Sequence, residues 1–192
     1  MNLETLLSIC VGIGLSAAVG LRVFIPFLIV SIFSYTGNLE LSTNFTWIGT
    51  LPALIAFSVA TILEILAYYI PWLDNFLDTI EHPLAIFAGI ILAGAVVTDF
   101  SPLIKWALAL IAGGGVAGTI NAATGLIRLK SSAVTGGVGN PIVSTSEAAG
   151  STALSFIAIF IPVAAVFIVG LSVVYFTYMI KKKFFSAPSA EE

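Results

Sequence analysis

The chain has 192 residues, 59% of them hydrophobic and only 9% charged, with a net charge of −3. A soluble domain carries about 25% charged residues, so this composition excludes a water-covered globule. The lack of a basic face with interleaved aromatics excludes nucleic acid as a partner. The apolar runs are continuous and not built from alternating segments of about 10 residues, which excludes a transmembrane barrel. They predict an all-α, polytopic membrane helix bundle of about six spans. It forms one domain over residues 1–185, with a polar tail at 186–192.

The first run predicts a helix over residues 3–33. It begins with an acid, Glu4, and extends far beyond a signal-peptide core, so it reads as a retained helix. Cys10 is the single cysteine and reads as a small packing residue. Residues 34–46 form a polar loop. A second helix is expected over 51–70, with Pro52 in its first turn and Pro71 closing it. The third, over 83–98, has about fifteen residues before Asp99, against about 20 for a full span. It either borrows the preceding segment or dips partway into the protein.

That preceding segment has helical periodicity of its own. Trp72, Leu73, Phe76, Leu77 and Ile80 share one face, and Asp74, Asp78 and Glu81 share another. It predicts a short amphipathic interfacial helix near 72–81 whose acids form a solvated face; a divalent cation there is the alternative. His82 alone is a weak metal signal. The fourth helix is expected over 102–129, the fifth over 141–162 and the sixth over 163–180. Between the fourth and fifth, Thr135-Gly136-Gly137-Val138-Gly139-Asn140-Pro141 lacks the lysine of a nucleotide loop. It reads as a flexible turn or as a re-entrant, gating segment.

Small residues recur at four-residue intervals at Gly12, Ser16 and Gly20, and again at Gly113, Ala117, Asn121 and Gly125. Such stripes let helix backbones approach closely in lipid. Close contact is also expected at Gly115 and Gly118, whereas Gly170 should face lipid. The two stripes, and a glutamate in each proline-framed helix, suggest inverted halves over 1–98 and 102–180.

Arg22, Glu64, Arg128 and Glu147 interrupt otherwise apolar stretches. A charge at the centre of a membrane helix costs about 3 kcal/mol on insertion scales, so these residues must face protein, water or one another. Arg22 precedes Pro26, whose missing N–H can leave nearby carbonyls free for a guanidinium. Structural pairing with Glu64 or Glu147 and contact with an anion are both open. Glu64 and Glu147 could share a proton, hold a cation or simply meet water. The candidate polar cleft comprises Arg22, Glu64, Asn121, Asn140 and Glu147. No hydrolase triad or zinc spacing is present, so neither a cofactor nor a catalytic residue is assigned.

Lys181, Lys182 and Lys183 follow the last span, and Arg128 and Lys130 flank the fourth connection. The first connection has no Lys or Arg, and Lys105 is the one basic residue near that opposite face. The positive-inside rule then places both termini and the 130–140 loop in the cytoplasm.

Several motifs occur in a characteristic order: Gly20-Leu-Arg22-Val-Phe-Ile-Pro26, Leu63-Glu64, Ile70-Pro71-Trp-Leu-Asp74, Asp99, Gly113-Gly-Gly115 and Thr135-Gly-Gly-Val-Gly-Asn140-Pro141. Together they resemble the bacterial multi-pass family catalogued as domain of unknown function 4126, over roughly residues 12–162. Where that family often has a charged residue before the Ile-Pro pair, this chain has Tyr68 and Tyr69; Ala148 follows Glu147 where a second acid is frequent. The resemblance implies a multi-pass fold in a bacterial inner membrane and names no activity. The leading functional expectation is translocation of a small solute, ion or lipid headgroup through the polar cleft, with membrane lipids, and a second copy of the chain, as candidate partners. A non-transporting assembly protein with internally paired charges is the rival, and a lipid-modifying enzyme a third reading.

Overall fold

Pro26 stands four residues beyond Arg22, and within one continuous helix its ring would collide with the Arg22 carbonyl. The helix accordingly stops. In the computed structural model, α1 (Leu3–Leu21) ends on Arg22 in extended geometry, φ −152° and ψ 133°, and α2 (Phe24–Tyr35) begins two residues later, after Val23. Pro26 then lies in the first turn of α2, where its absent N–H would have had no intrahelical partner. The single helix expected over 3–33 is thus two helices. The structure describes residues 2–98 and 100–185, with Pro71, Trp72, Asp74, Asn75, Asp78, Ile180 and residues 182–185 as backbone only. Asp99 and the tail at 186–192 lie outside the described residues.

After α2 comes a 3₁₀ segment (Thr43–Gly49) that overlaps the end of the expected polar loop and runs past it, then α3 (Leu51–Ala67) at a 63° bend. Two bonds hold the bend against its neighbours. The Ser31 hydroxyl donates to the Ile48 carbonyl at 2.6 Å, and the Ser42 N–H donates to the Ala95 carbonyl at 2.7 Å.

Next is α4 (Pro71–Val96), 26 residues long and continuous through Pro83. The segment expected as an interfacial helix near 72–81 is helical and continuous with the third helix, whose apolar span is Thr79–Val96. The reason is register. Glu81, Ala85, Ala88, Leu92 and Ala95 recur at alternating intervals of four and three, and all are buried. One apolar stripe therefore crosses Pro83 without a phase change, and packing outweighs the lost hydrogen bond.

Then α5 (Pro102–Leu108), a π turn (Ala109–Gly114) and α6 (Gly115–Thr135) join into 34 continuous residues. The helix ends at Gly136 and Gly137, whose φ values of 63° and 91° favour glycine. This four-residue connection at 136–139 is a turn, shorter than the irregular stretch expected over 130–140. Last come α7 (Asn140–Phe160) and α8 (Pro162–Phe185). Among the described residues, five helices are long and apolar enough to cross a membrane, or six if the bent pair is one span. The protein is an integral, all-helical membrane protein.

α1 is the hub, packing on α4, α6, α7 and α8. Its small residues make that possible, since lipid supplies no hydrophobic drive between helices and close backbone approach must supply dispersion instead. A Cβ on Gly20 would lie 2.6 Å from the Ala117 carbonyl oxygen, and one on Gly14 would lie 2.7 Å from the Ala158 Cβ. The π turn meets α4 the same way: a Cβ on Gly113 would fall 2.7 Å from the Gly89 carbonyl oxygen. A Cβ on Gly118 would lie 3.1 Å from Ile86 Cγ1, the close contact expected there, and Gly170 faces open space. Gly115 also faces open space, which corrects the close contact expected there: it is off the stripe that carries Gly113 and Ala117.

Candidate functional site

The helix break lowers Arg22 into the protein interior, where it is 1% exposed. Its guanidinium forks between two helices. Nη1 donates to Glu81 Oε1 at 3.2 Å on α4, and Nη2 donates to Glu147 Oε2 at 2.8 Å on α7. Its Cζ lies 4.0 Å from the Tyr68 ring centroid, a cation–π contact at the end of α3. Arg128 on α6 reaches the same Glu147: Nη2 donates to Oε2 at 2.6 Å and Nε at 3.1 Å, and Nη2 also donates to the Ser144 hydroxyl at 2.9 Å. Glu147 thus bridges two arginines.

Glu64 serves a different purpose. Its Oε1 accepts from the Val23 N–H at 3.1 Å. Val23 opens α2, so Glu64 places a carboxylate where a helix start presents free donors and a positive dipole end. Beside the break, the Ser151 hydroxyl of α7 donates to the Ala18 carbonyl at 2.9 Å, an acceptor it shares with the Arg22 N–H at 3.0 Å.

The five buried charged residues among those described are Arg22, Glu64, Glu81, Arg128 and Glu147. Three carboxylates against two guanidiniums leave one carboxylate in excess. Four buried polar atoms in the same region find no hydrogen-bond partner among the described residues: Arg22 Nε, Thr61 Oγ1, Glu64 Oε2 and Tyr68 OH. Three cavities border the cluster. One of about 430 Å³ lies between α1, α6, α7 and α8 and touches Glu147. Another, also about 430 Å³, lies between α2, α3 and α7, with Thr61 and Tyr68 in its wall. The third, about 550 Å³, is lined by Thr79, His82, Arg128 and Ser132.

The structure brings three of the five expected cleft residues together: Arg22, Glu64 and Glu147. Asn121 is buried on α6. Asn140 is buried at the start of α7 and exchanges hydrogen bonds with the Ser132 hydroxyl at 3.0 and 3.2 Å, tying the two sides of the 136–139 turn. Glu81 is corrected outright. Expected on a solvated acidic face, it is 8% exposed and paired with Arg22, because it continues the buried stripe of α4. The side chains of Asp74 and Asp78 lie outside the described residues. Thr61, Tyr68 and Ser144 were not singled out as site residues. Helical spacing could have found the first two, since Thr61, Glu64 and Tyr68 recur on one face of α3.

No curated protein matches the chain, and no solved structure does. A family model described as a domain of unknown function (DUF4126) matches residues 9–182. That match runs from within α1 through most of α8 and includes every residue of the charge cluster. The chain therefore belongs to the DUF4126 family of multi-pass membrane proteins.

Proposed function

We propose that the protein translocates a small polar solute, an ion or a lipid headgroup across a bacterial cytoplasmic membrane, through a cleft centred on Arg22. The observation that carries the reading is the α1–α2 break at Arg22 and Val23. Discontinuous helices in transporters bring free helix ends to a binding site within the bilayer. Here α1's last carbonyls, α2's first N–H groups and five charged side chains converge. Buried ion pairs are poor sources of stability, since well-packed apolar residues of similar volume often serve as well or better. A cluster built only to hold the bundle would therefore be an expensive choice.

On this reading Arg22 and Glu147 contact the solute, while Glu64 holds the start of α2. The candidate halves, residues 1–98 and 102–180, would move against each other along the stripe where Gly20 meets Ala117. The termini and the 136–139 turn would face the cytoplasm. Lipid would cover the exposed Phe167, Leu171 and Val174 of α8.

A second reading is favoured by the double pairing of Glu147: a clamp that joins α1, α6 and α7 and moves nothing. Arg22→Lys separates the two. Lysine keeps the charge but lacks the fork that reaches Glu81 and Glu147 together. Metabolite and lipid profiling of a deletion strain would nominate the solute, and reconstituted vesicles would measure its flux. The translocation reading expects Arg22→Lys to fold and lose at least about tenfold of flux. Unchanged flux with a lowered melting temperature would leave the clamp.

A further inference from the structure

Glu64 is the third carboxylate of a cluster with two arginines. Its Oε1 accepts from the Val23 N–H and the Phe24 N–H also faces the carboxylate, while Oε2 of this 3% exposed residue has no hydrogen-bond partner among the described residues. Two hydroxyls share this condition on the same helix face. Thr61 Oγ1 lies one turn before Glu64 and Tyr68 OH one turn after it; both residues are more than nine-tenths buried, and both oxygens are unpartnered. Thr61 and Tyr68 line the cavity between α2, α3 and α7. A buried anionic oxygen left alone is costly, and an unpaired hydroxyl costs about 1–3 kcal/mol. Three such oxygens, at positions 61, 64 and 68 on one face of α3 and its C-cap, in a cluster of three carboxylates against two guanidiniums, match a small cation.

We infer that Glu64, Thr61 and Tyr68 form a site for one exchangeable monovalent cation, either a proton on Glu64 or a sodium ion shared by the three oxygens. The charged and titratable groups that face Glu64 are Arg22 at the end of α1, Glu81 on α4 and Tyr68 on its own helix. Arg22 is already engaged by Glu81 and Glu147, so it does not take the place of the cation. Because Glu64 also holds the Val23 amide, occupancy of the site is linked to the α1–α2 break. The inference deepens the translocation reading by naming its coupling ion, on which that role rests. Binding itself is measured without transport. Intact binding with no flux for any solute sinks only the translocation reading, and flux without binding sinks only the cation site.

The test uses the purified full chain in detergent. Sodium chloride is titrated against N-methylglucamine chloride at constant ionic strength, with thermal melting as the readout. A sodium site predicts saturable stabilisation in the wild type, weakened about tenfold in Thr61→Val and abolished in Glu64→Gln. A proton site predicts no sodium effect. It instead predicts a carboxylic-acid stretch in the acid-minus-alkaline infrared difference spectrum that disappears in Glu64→Gln and shifts in Thr61→Val or Tyr68→Phe. If Glu64→Gln does not fold, the two hydroxyl variants decide alone. Sodium independence together with a carboxylic-acid band that none of these variants changes overturns the proposal.

Discussion

Arg22 and Glu81 are 59 residues apart in the chain and meet at 3.2 Å in the protein interior. The pair joins the end of α1 to the middle of α4, and both partners are buried. Each residue needs a structural accident to arrive there. Arg22 needs the helix to stop before Pro26. Glu81 needs α4 to continue through Pro83, so that its buried stripe reaches one turn further.

This pairing makes Glu81→Gln a sharp test. A solvated surface acid would tolerate the change within about 0.5 kcal/mol. Removing one partner of a buried pair costs about 3–5 kcal/mol. Since Glu147 still holds Arg22, we expect a loss of about 2–3 kcal/mol, read by reversible unfolding in detergent micelles or bicelles. A change below the surface limit would place Glu81 in solvent.

Arg128 and Glu147 should show strong coupling. Glu147→Gln alone leaves two guanidiniums short of a carboxylate, and Arg128→Gln alone leaves the cluster with more unbalanced negative charge. The double variant removes both charges at once. We expect its destabilisation to fall short of the sum of the single changes by about 1–3 kcal/mol. Strict additivity would mean that the two groups do not interact in the folded protein.

Glycine positions should separate into two classes. Gly113→Ala drives a methyl to within 2.7 Å of the Gly89 carbonyl oxygen, so overpacking should cost about 1–3 kcal/mol. Gly115→Ala and Gly170→Ala add a methyl to open space and replace a poor helix former by the best, an intrinsic gain of up to about 1 kcal/mol. Melting temperatures of the three variants in one detergent check the order. Equal effects at Gly113 and Gly115 would remove the close α4 contact.

Orientation is testable by labelling single cysteines from either side of intact cells or spheroplasts, after replacing Cys10. Asn38 in the first connection and Val134 in the last turn of α6, beside the 136–139 turn, are both exposed and lie at opposite ends of the expected topology. We expect Asn38→Cys to react from outside, and Val134→Cys only after permeabilisation. Labelling of both from one side would reverse the order of spans on which the cytoplasmic assignment stands.

Much of the fold was legible in the residues because a bilayer imposes composition directly. Each lipid-facing position must be apolar, so the span regions and the proline-framed start of α7 follow from hydropathy and from proline's missing donor. The burial requirement on Arg22, Glu64, Arg128 and Glu147 was equally legible, since hydrocarbon gives a charge no other place. The break after Leu21 was partly visible in Pro26. The union of 72–81 with the third span could have been found by following the buried stripe through Pro83 rather than stopping at the proline.

The sequence by itself determined the solvent: an integral membrane bundle, the helix-rich class, and a buried polar centre holding Arg22 and Glu147. Only the tertiary structure decided the pairings. Glu81 joins Arg22, Glu147 bridges Arg22 and Arg128, and Glu64 turns to the Val23 amide and leaves an oxygen beside Thr61 and Tyr68. The physical reason is that hydrophobicity sets how deep a helix sits but not its rotation. In lipid the apolar faces of a helix are nearly equivalent. Rotation is decided by the close approach of small residues, such as Gly20 on Ala117 and Gly113 on Gly89, and these contacts join segments far apart in the chain.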